Sequence, residues 1–268
     1  MGQFRRQGEQ DRRWNWSCGL VFESEIMPLV IDSARDFFCI GHRGARGHEP
    51  ENTLRSVRRA LALGAQGIEI DVWLVDGELL VFHDAKLDRT TNGHGYLSRK
   101  SLAYLRSLDA GQGERIPTLR EVFETVGRRA MINIELKGRR TAGPVTALIR
   151  EFITRHGWRH EDFLISSFNR RELRAIEDPL IRIGLLLTRP SRLYALSARR
   201  VRACAVHPAF RYVTARFVAD AHKRGLLVFP YTVNAAGDIE RLRRMGVDGV
   251  FTDFPERAVK LKAREFQA

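Results

Sequence analysis

Gly67-Ile68-Glu69-Ile70-Asp71-Val72 alternates aliphatic with acidic residues, the period of a strand in which residues two apart share a face. Glu69 and Asp71 then point one way, and Ile68, Ile70 and Val72 the other. Ile132-Asn133-Ile134-Glu135-Leu136-Lys137 repeats the pattern. Ionised side chains inside a buried strand are costly unless paired or bound to metal, and three carboxylates against one lysine leave about two negative charges to neutralise. One divalent cation with oxygen ligands, Mg2+ or Ca2+, balances that sum. A buried network with arginines from neighbouring strands is the structural alternative.

Outward from these two segments, β-like runs alternate with helical stretches. They lie at Phe38 to Gly41, Ile68 to Trp73, Met131 to Leu136, Phe163 to Ser166, Arg182 to Leu187, Ala203 to Val206, Leu226 to Tyr231 and Gly249 to Thr252. Eight β-then-α units of this size predict a closed (β/α)8 barrel, a TIM barrel, over residues 37–268. A further run, Glu78 to His83, follows the second strand after only Val75-Asp76-Gly77. That connection is too short for a crossover and Asp-Gly is a turn signal, so the run is expected to return antiparallel as a rim hairpin. It opens an insertion over about residues 76–117, read from its Thr, Asn and Gly content as a loop region. A helix is expected near Thr118, where Thr-Leu-Arg-Glu forms a capping box. Residues 1–36 show no sustained period and are read as a flexible extension, with Met27 as a second candidate start.

The chain has 268 residues, 44% of them hydrophobic, enough for one large core. No run of about 18 apolar residues is present, so no transmembrane segment is expected. No convincing signal peptide appears either, and the expected location is cytoplasmic. Cys18, Cys39 and Cys204 suggest neither a disulfide framework nor a zinc site. The net charge of +13 invites a polyanion reading, but the arginines are scattered through the elements and no basic block is interleaved with stacking aromatics. Nucleic acid is not an expected partner, and the oligomeric state is not legible.

On a barrel, the reactive residues converge at the C-terminal rim. His42 and Arg43 follow the first strand, Glu69 and Asp71 lie late in the second, Glu135 and Lys137 end the third, and His83-Asp84 closes the hairpin. Two histidines, three carboxylates and two cations suit metal-assisted displacement at a phosphodiester.

The chain resembles the glycerophosphodiester phosphodiesterases from His42 to about Pro255. The matching segments include His42-Arg43-Gly44-Ala45, Pro50-Glu51-Asn52-Thr53, Ile68-Glu69-Ile70-Asp71-Val72, His83-Asp84, Arg89-Thr90-Thr91-Asn92-Gly93 and Ile116-Pro117-Thr118-Leu119. Ile134-Glu135-Leu136-Lys137, Ser166-Ser167-Phe168, Val233-Asn234 and Gly249-Val250-Phe251-Thr252-Asp253 complete the series. The resemblance implies an enzyme hydrolysing small glycerophosphodiesters to glycerol 3-phosphate and an alcohol. It implies a divalent cation held by Glu69, Asp71 and Glu135, acid–base catalysis by His42 and His83, and phosphate binding by Arg43 and Lys137. His42 is assigned as base and His83 as acid, and the nucleophile is either water or the substrate's own neighbouring hydroxyl. Tyr231 in place of the family's usual tryptophan, Val57 in place of phenylalanine, and His48-Glu49 depart from the pattern and bear on substrate preference. The competing readings are lysophospholipase D-like hydrolysis of a lipid phosphodiester and a non-catalytic barrel that binds polyanions. His94, His156, His160 and His222 are read as structural; His207 and Asn52 are left open between structure and site.

Overall fold

The computed structural model describes residues 37–265. Its frame is eight parallel strands: β1 (Phe38–Gly41), β2 (Gly67–Val75), β4 (Met131–Leu136), β5 (Phe163–Ser167), β6 (Arg182–Leu187), β7 (Ala205–Pro208), β8 (Leu227–Val228) and β9 (Gly249–Thr252). Their order in space is β8-β7-β6-β5-β4-β2-β1-β9, and β3 (Glu78–Val81) pairs antiparallel with β2. The TIM barrel and its rim hairpin are thus both present. Four of the eight expected strands have the observed bounds to the residue. Glu172 shows how a helix is seated on this frame: its buried carboxylate accepts from the amides of Arg140 (2.8 Å), Thr141 (3.0 Å) and Ala142 (3.1 Å) at the start of α4 (Ala142–His156). Those orphan amides carry the positive end of the helix dipole, which a carboxylate complements.

No ladder joins β8 to β9. The seam is closed by single bonds, Asp248 N to Val228 O (3.1 Å), Phe251 N to Pro230 O (2.9 Å) and Val233 N to Phe251 O (2.8 Å). The Asp248 side chain adds a bond from Val228 N (2.7 Å) and one with His222 Nε2 (2.9 Å). The sequence reading runs this strand from Leu226 to Tyr231, but the ladder ends at Val228, because Pro208, the next β7 residue facing β8, has no amide hydrogen to donate across it. The strand expected at Ala203 to Val206 also sits two residues later, so His207 lies within β7 and faces the barrel interior.

Three apolar clusters divide the work. The largest fills the space between strands and outer helices, with Ile68, Ile70, Ile132, Ile134 and Phe163 among its members. A second plugs the barrel's interior below the rim, built on Phe38, Ile40, Met131, Leu164, Phe229 and Phe251. The third belongs to the insertion: Leu80, Phe82, Leu87, Leu97, Leu105 and Ile116 pack on one another around α2 (Leu102–Ser107). The segment read as loop from its composition therefore carries a helix and a small core of its own. It ends at α3 (Leu119–Val126), where Thr118 and Glu121 form the expected capping box. The extension expected over residues 1–36, and Cys18 within it, lie outside the described residues; Cys39 and Cys204 are buried thiols. Among the described residues no helix is long and apolar enough to cross a membrane.

Candidate active site

The floor is made by β2 and β4. Asp71 lies opposite Glu135 in the ladder, and period two brings Glu69 to the same face. Glu69, Asp71 and Glu135 each offer an oxygen, all within 4.8 Å of one another. Glu69 and Asp71 are buried, and Glu69 Oε1 and Asp71 Oδ1 have no hydrogen-bond partner among the described residues. Lys137 Nζ donates to Glu135 Oε1 (2.8 Å) and lies 3.6 Å from Asp71 Oδ1. Burial, then the charges of Asp71 and Glu135, drive the Glu69 pKa well above the carboxylate range. Burial and Asp71 likewise raise Glu135 to about 7, against the pull of Lys137. Such a floor is short of positive charge, and two orphaned buried oxygens beside a third carboxylate match the hard oxygen donors that Mg2+ or Ca2+ takes.

His42 follows β1 directly. Its Nδ1 is 2.7 Å from Asp253 Oδ1, and its Nε2 is 4.0 Å from Glu69 Oε2. Asp253 is itself held by Asn234, which donates Nδ2–H to Oδ2 (2.8 Å) and accepts from the Asp253 amide (2.9 Å). Burial lowers the His42 pKa, and Asp253 opposes that shift. With Nδ1 engaged by a carboxylate, Nε2 is the nitrogen left for chemistry.

Arg43 takes a positive φ of 51°. Its amide donates to Glu69 Oε2 (2.8 Å), its Nη1 to Glu51 Oε1 (2.7 Å), and its Nε stands 3.2 Å from Asp71 Oδ2 as an ion pair without hydrogen-bond alignment. Gly44 beside it has φ 83°, and a Cβ there would come within 2.5 Å of Ser56 Oγ. This turn accepts only glycine without strain. Asn52 resolves as a positioning group: its Nδ2 donates to Asp71 Oδ2 (2.9 Å) and its Oδ1 accepts from the Asp71 amide (3.2 Å).

The hairpin delivers His83 to the same rim. Its Nδ1 is 2.5 Å from Asp84 Oδ1, Arg89 Nε donates to Asp84 Oδ2 (2.6 Å), and Arg89 also grips Glu51 (2.6 and 2.8 Å). Against the upward push of burial, Arg89 and Arg43 hold Glu51 down at about 2. An unbroken polar chain thus links His83 through Asp84, Arg89 and Glu51 to Arg43 and the floor. The charges of Asp71, Arg43 and Lys137 all act on His83, whose pKa burial lowers. Beside this chain an open cleft of about 550 Å³ runs between Glu49, Glu51, Arg89 and Asp109. On the far wall Tyr231 meets Phe168 edge to face, ring centroids 6.0 Å apart.

All seven residues singled out in the sequence are brought to one rim. Asp253, Asn234, Asp84, Arg89 and Glu51 were assigned no role there. Asp84 carries a local signal, a carboxylate next to a histidine. Asp253 carries none, because 211 residues separate it from His42.

The family model for glycerophosphoryl diester phosphodiesterases matches residues 42–257. The chain belongs to that family. Its relatives include the glycerophosphodiester phosphodiesterases of Caldanaerobacter subterraneus subsp. tengcongensis, 40% identical over 238 residues (83% of this chain, 96% of that protein), and of Bacillus altitudinis, 36% identical over 236 (82% and 96%). Among solved structures, an Oleispira antarctica phosphodiesterase in complex with the product sn-glycerol 3-phosphate is similar at a TM-score of 0.76 with 31% identity, covering 84% of this chain and 96% of that one. As a glycerophosphodiester phosphodiesterase, the protein is a phosphoric diester hydrolase.

Proposed function

We propose that the enzyme hydrolyses glycerophosphodiesters to glycerol 3-phosphate and an alcohol in a metal-dependent reaction that uses His42 and His83 as base and acid. The observation that carries the reading is the pair of orphaned oxygens, Glu69 Oε1 and Asp71 Oδ1, in a three-carboxylate floor overlooked by the free nitrogen of His42. Glu69, Asp71 and Glu135 would hold one divalent cation, Mg2+ or Ca2+. When bound, it supplies Lewis-acid stabilisation of charge on a non-bridging phosphate oxygen.

The chain's own groups do the rest. Arg43 and Lys137 clamp the phosphate and offset its charge. His42 Nε2 takes the proton from the attacking hydroxyl, of water or of the substrate's glycerol, as the new P–O bond forms. The bond to the leaving alcohol breaks, and His83 gives that oxygen its proton. Where the glycerol hydroxyl attacks, the product of this step is a cyclic phosphate, and water then opens the ring in a second displacement, with His83 as base and His42 returning the proton to the glycerol oxygen, to give glycerol 3-phosphate. Asp253 keeps Nδ1 engaged, as Asp84 does for His83, so both rings present Nε2. The product held by the Oleispira relative is the one this scheme releases. Buried thiols at Cys39 and Cys204 support a reducing compartment, the cytoplasm.

The test is release of glycerol 3-phosphate from glycerophosphocholine and glycerophosphoethanolamine with Mg2+, with Ca2+ and in EDTA. Turnover is expected to vanish in EDTA and return with one ion, and His42→Ala is expected to lose on the order of 10²- to 10⁴-fold in kcat with its fold retained. Full activity in EDTA would remove the cation from the scheme, and full activity of His42→Ala would remove the base.

A further inference from the structure

The rim around the active site is divided by charge. On the β1–β3 side the arginines near the opening are ion-paired, Arg43 with Glu51 and Asp71, Arg46 with Glu51, Arg89 with Glu51 and Asp84, and Arg55 with Glu49. On the β5–β7 side the three successive rim loops, residues 168–171, 188–193 and 209–216, contain no acidic residue. They expose Arg170, Arg171, Arg189, Arg192 and Arg211, none of which forms a salt bridge with a described residue. Arg189 and Arg211 both lie over the ring of Tyr212, 5.4 and 5.0 Å from its centroid, which ties the second loop to the third.

The same loops gather exposed apolar side chains. Seven large hydrophobic residues are exposed among the described residues, and four of them, Phe168, Leu193, Leu196 and Tyr212, belong to these loops or to the first turn of α6 (Tyr194–Arg200) that follows. Leu193 is 66% exposed and Phe168 is 45% exposed. Scattered singly, such residues need no explanation. Gathered on adjacent loops and interleaved with bare arginines, they form an amphipathic surface: cations to meet lipid phosphates, aliphatic and aromatic groups to enter the headgroup layer.

We propose that the β5–β7 side of the rim docks the enzyme on a bilayer carrying anionic phospholipids. Charge complementarity selects that occupant over a neutral membrane, and Leu193 and Phe168 select it over a purely charged polymer. The contact Phe168–Tyr231 places this surface beside the active-site mouth, while the cleft at Glu51 and Arg89 lies on the β1–β3 side of the rim. Vesicle binding does not depend on the chemistry proposed above, so either idea can fail alone.

The test is co-sedimentation of the full chain with phosphatidylcholine vesicles, with and without about 30 mol% phosphatidylglycerol, in about 0.1 M salt, where surface charges still act over roughly 10 Å. Three proteins are compared with the wild type: the triple variant Arg189→Glu/Arg192→Glu/Arg211→Glu, Leu193→Asp, and a charge-matched control, Arg59→Glu/Arg150→Glu/Arg155→Glu, on α1 (Leu54–Ala62) and α4. The cooperative unfolding transition followed by circular dichroism reports folding in each. Anionic vesicles are expected to bind the wild type. The triple variant is expected to bind them on the order of 100-fold more weakly, since each basic residue at such a surface contributes about fivefold. Leu193→Asp is expected to lose about tenfold or more, and the control to stay near wild type. The proposal is overturned if anionic lipid gives no gain, if the control falls as far as the triple variant, or if Leu193→Asp binds fully, which would mark a general polyanion surface such as nucleic acid would use.

Discussion

His207 is fully buried inside the barrel, with both ring nitrogens lacking a partner among the described residues. It packs against Phe229 and Phe251 and fills space left by Gly184, where a Cβ would come within 2.4 Å of the ring. Burial alone pushes its pKa down to about 3. The unfolded chain therefore takes up a proton near pH 6.5 that the folded chain refuses until about pH 3, and stability falls as pH drops through that window, by roughly 1.4 kcal/mol per unit. His207→Leu, of similar volume, is expected to flatten that part of the stability curve in urea titrations between pH 6.5 and 4. A variant that keeps the wild-type slope would show that His207 is not its source. At this scale the sequence spoke through local period and adjacency. Alternation placed Glu69 and Asp71 on one face, and His42-Arg43 announced a rim turn. It was silent about Asp253 and about the partnerless ring of His207, since both depend on contacts made only after the chain closes.

Among the elements, the seam between β8 and β9 has no ladder, and Asp248 clasps it by accepting from Val228 N and pairing with His222. Asp248→Ala strands the Val228 amide and is expected to cost about 2 kcal/mol, read as a lowered urea midpoint. The hydrogen bond to Asp248 raises the His222 pKa. That contribution is complete below about pH 6.5 and fades as pH rises through the raised value. The gap between wild type and Asp248→Ala is thus expected to narrow from pH 6 to pH 9; a constant gap would assign the clasp to the amide bond alone. Strand positions were largely legible because β-branched runs and turn residues mark them. The early end of β8 follows from Pro208 on the facing strand, and the insertion's core escaped notice because Leu87, Leu97, Leu105 and Ile116 are too widely spaced to show a period.

For the whole molecule, the floor couples proton binding to stability. With Glu69 raised well above its usual range and Glu135 at about 7, the metal-free fold binds protons that the unfolded chain releases near pH 4.5, so its stability falls as pH climbs from there toward 7. A bound cation would favour the ionised floor and cancel that fall. The difference in Tm between samples with Mg2+ or Ca2+ and samples in EDTA is expected to grow from pH 5 to pH 8. A difference independent of pH would separate ion binding from these carboxylates. The scattered arginines of the linear chain become one neutralised and one bare half of the rim only when the loops after β5, β6 and β7 stand side by side, an adjacency no local pattern encodes. The bond between His42 and Asp253 joins the first strand's end to the last strand's end. During synthesis on the ribosome, the acidic floor is complete once residue 136 has emerged, yet the imidazole that serves it waits more than a hundred residues for its orienting carboxylate. His42 thus acquires its partner only when nearly the whole barrel has left the ribosome.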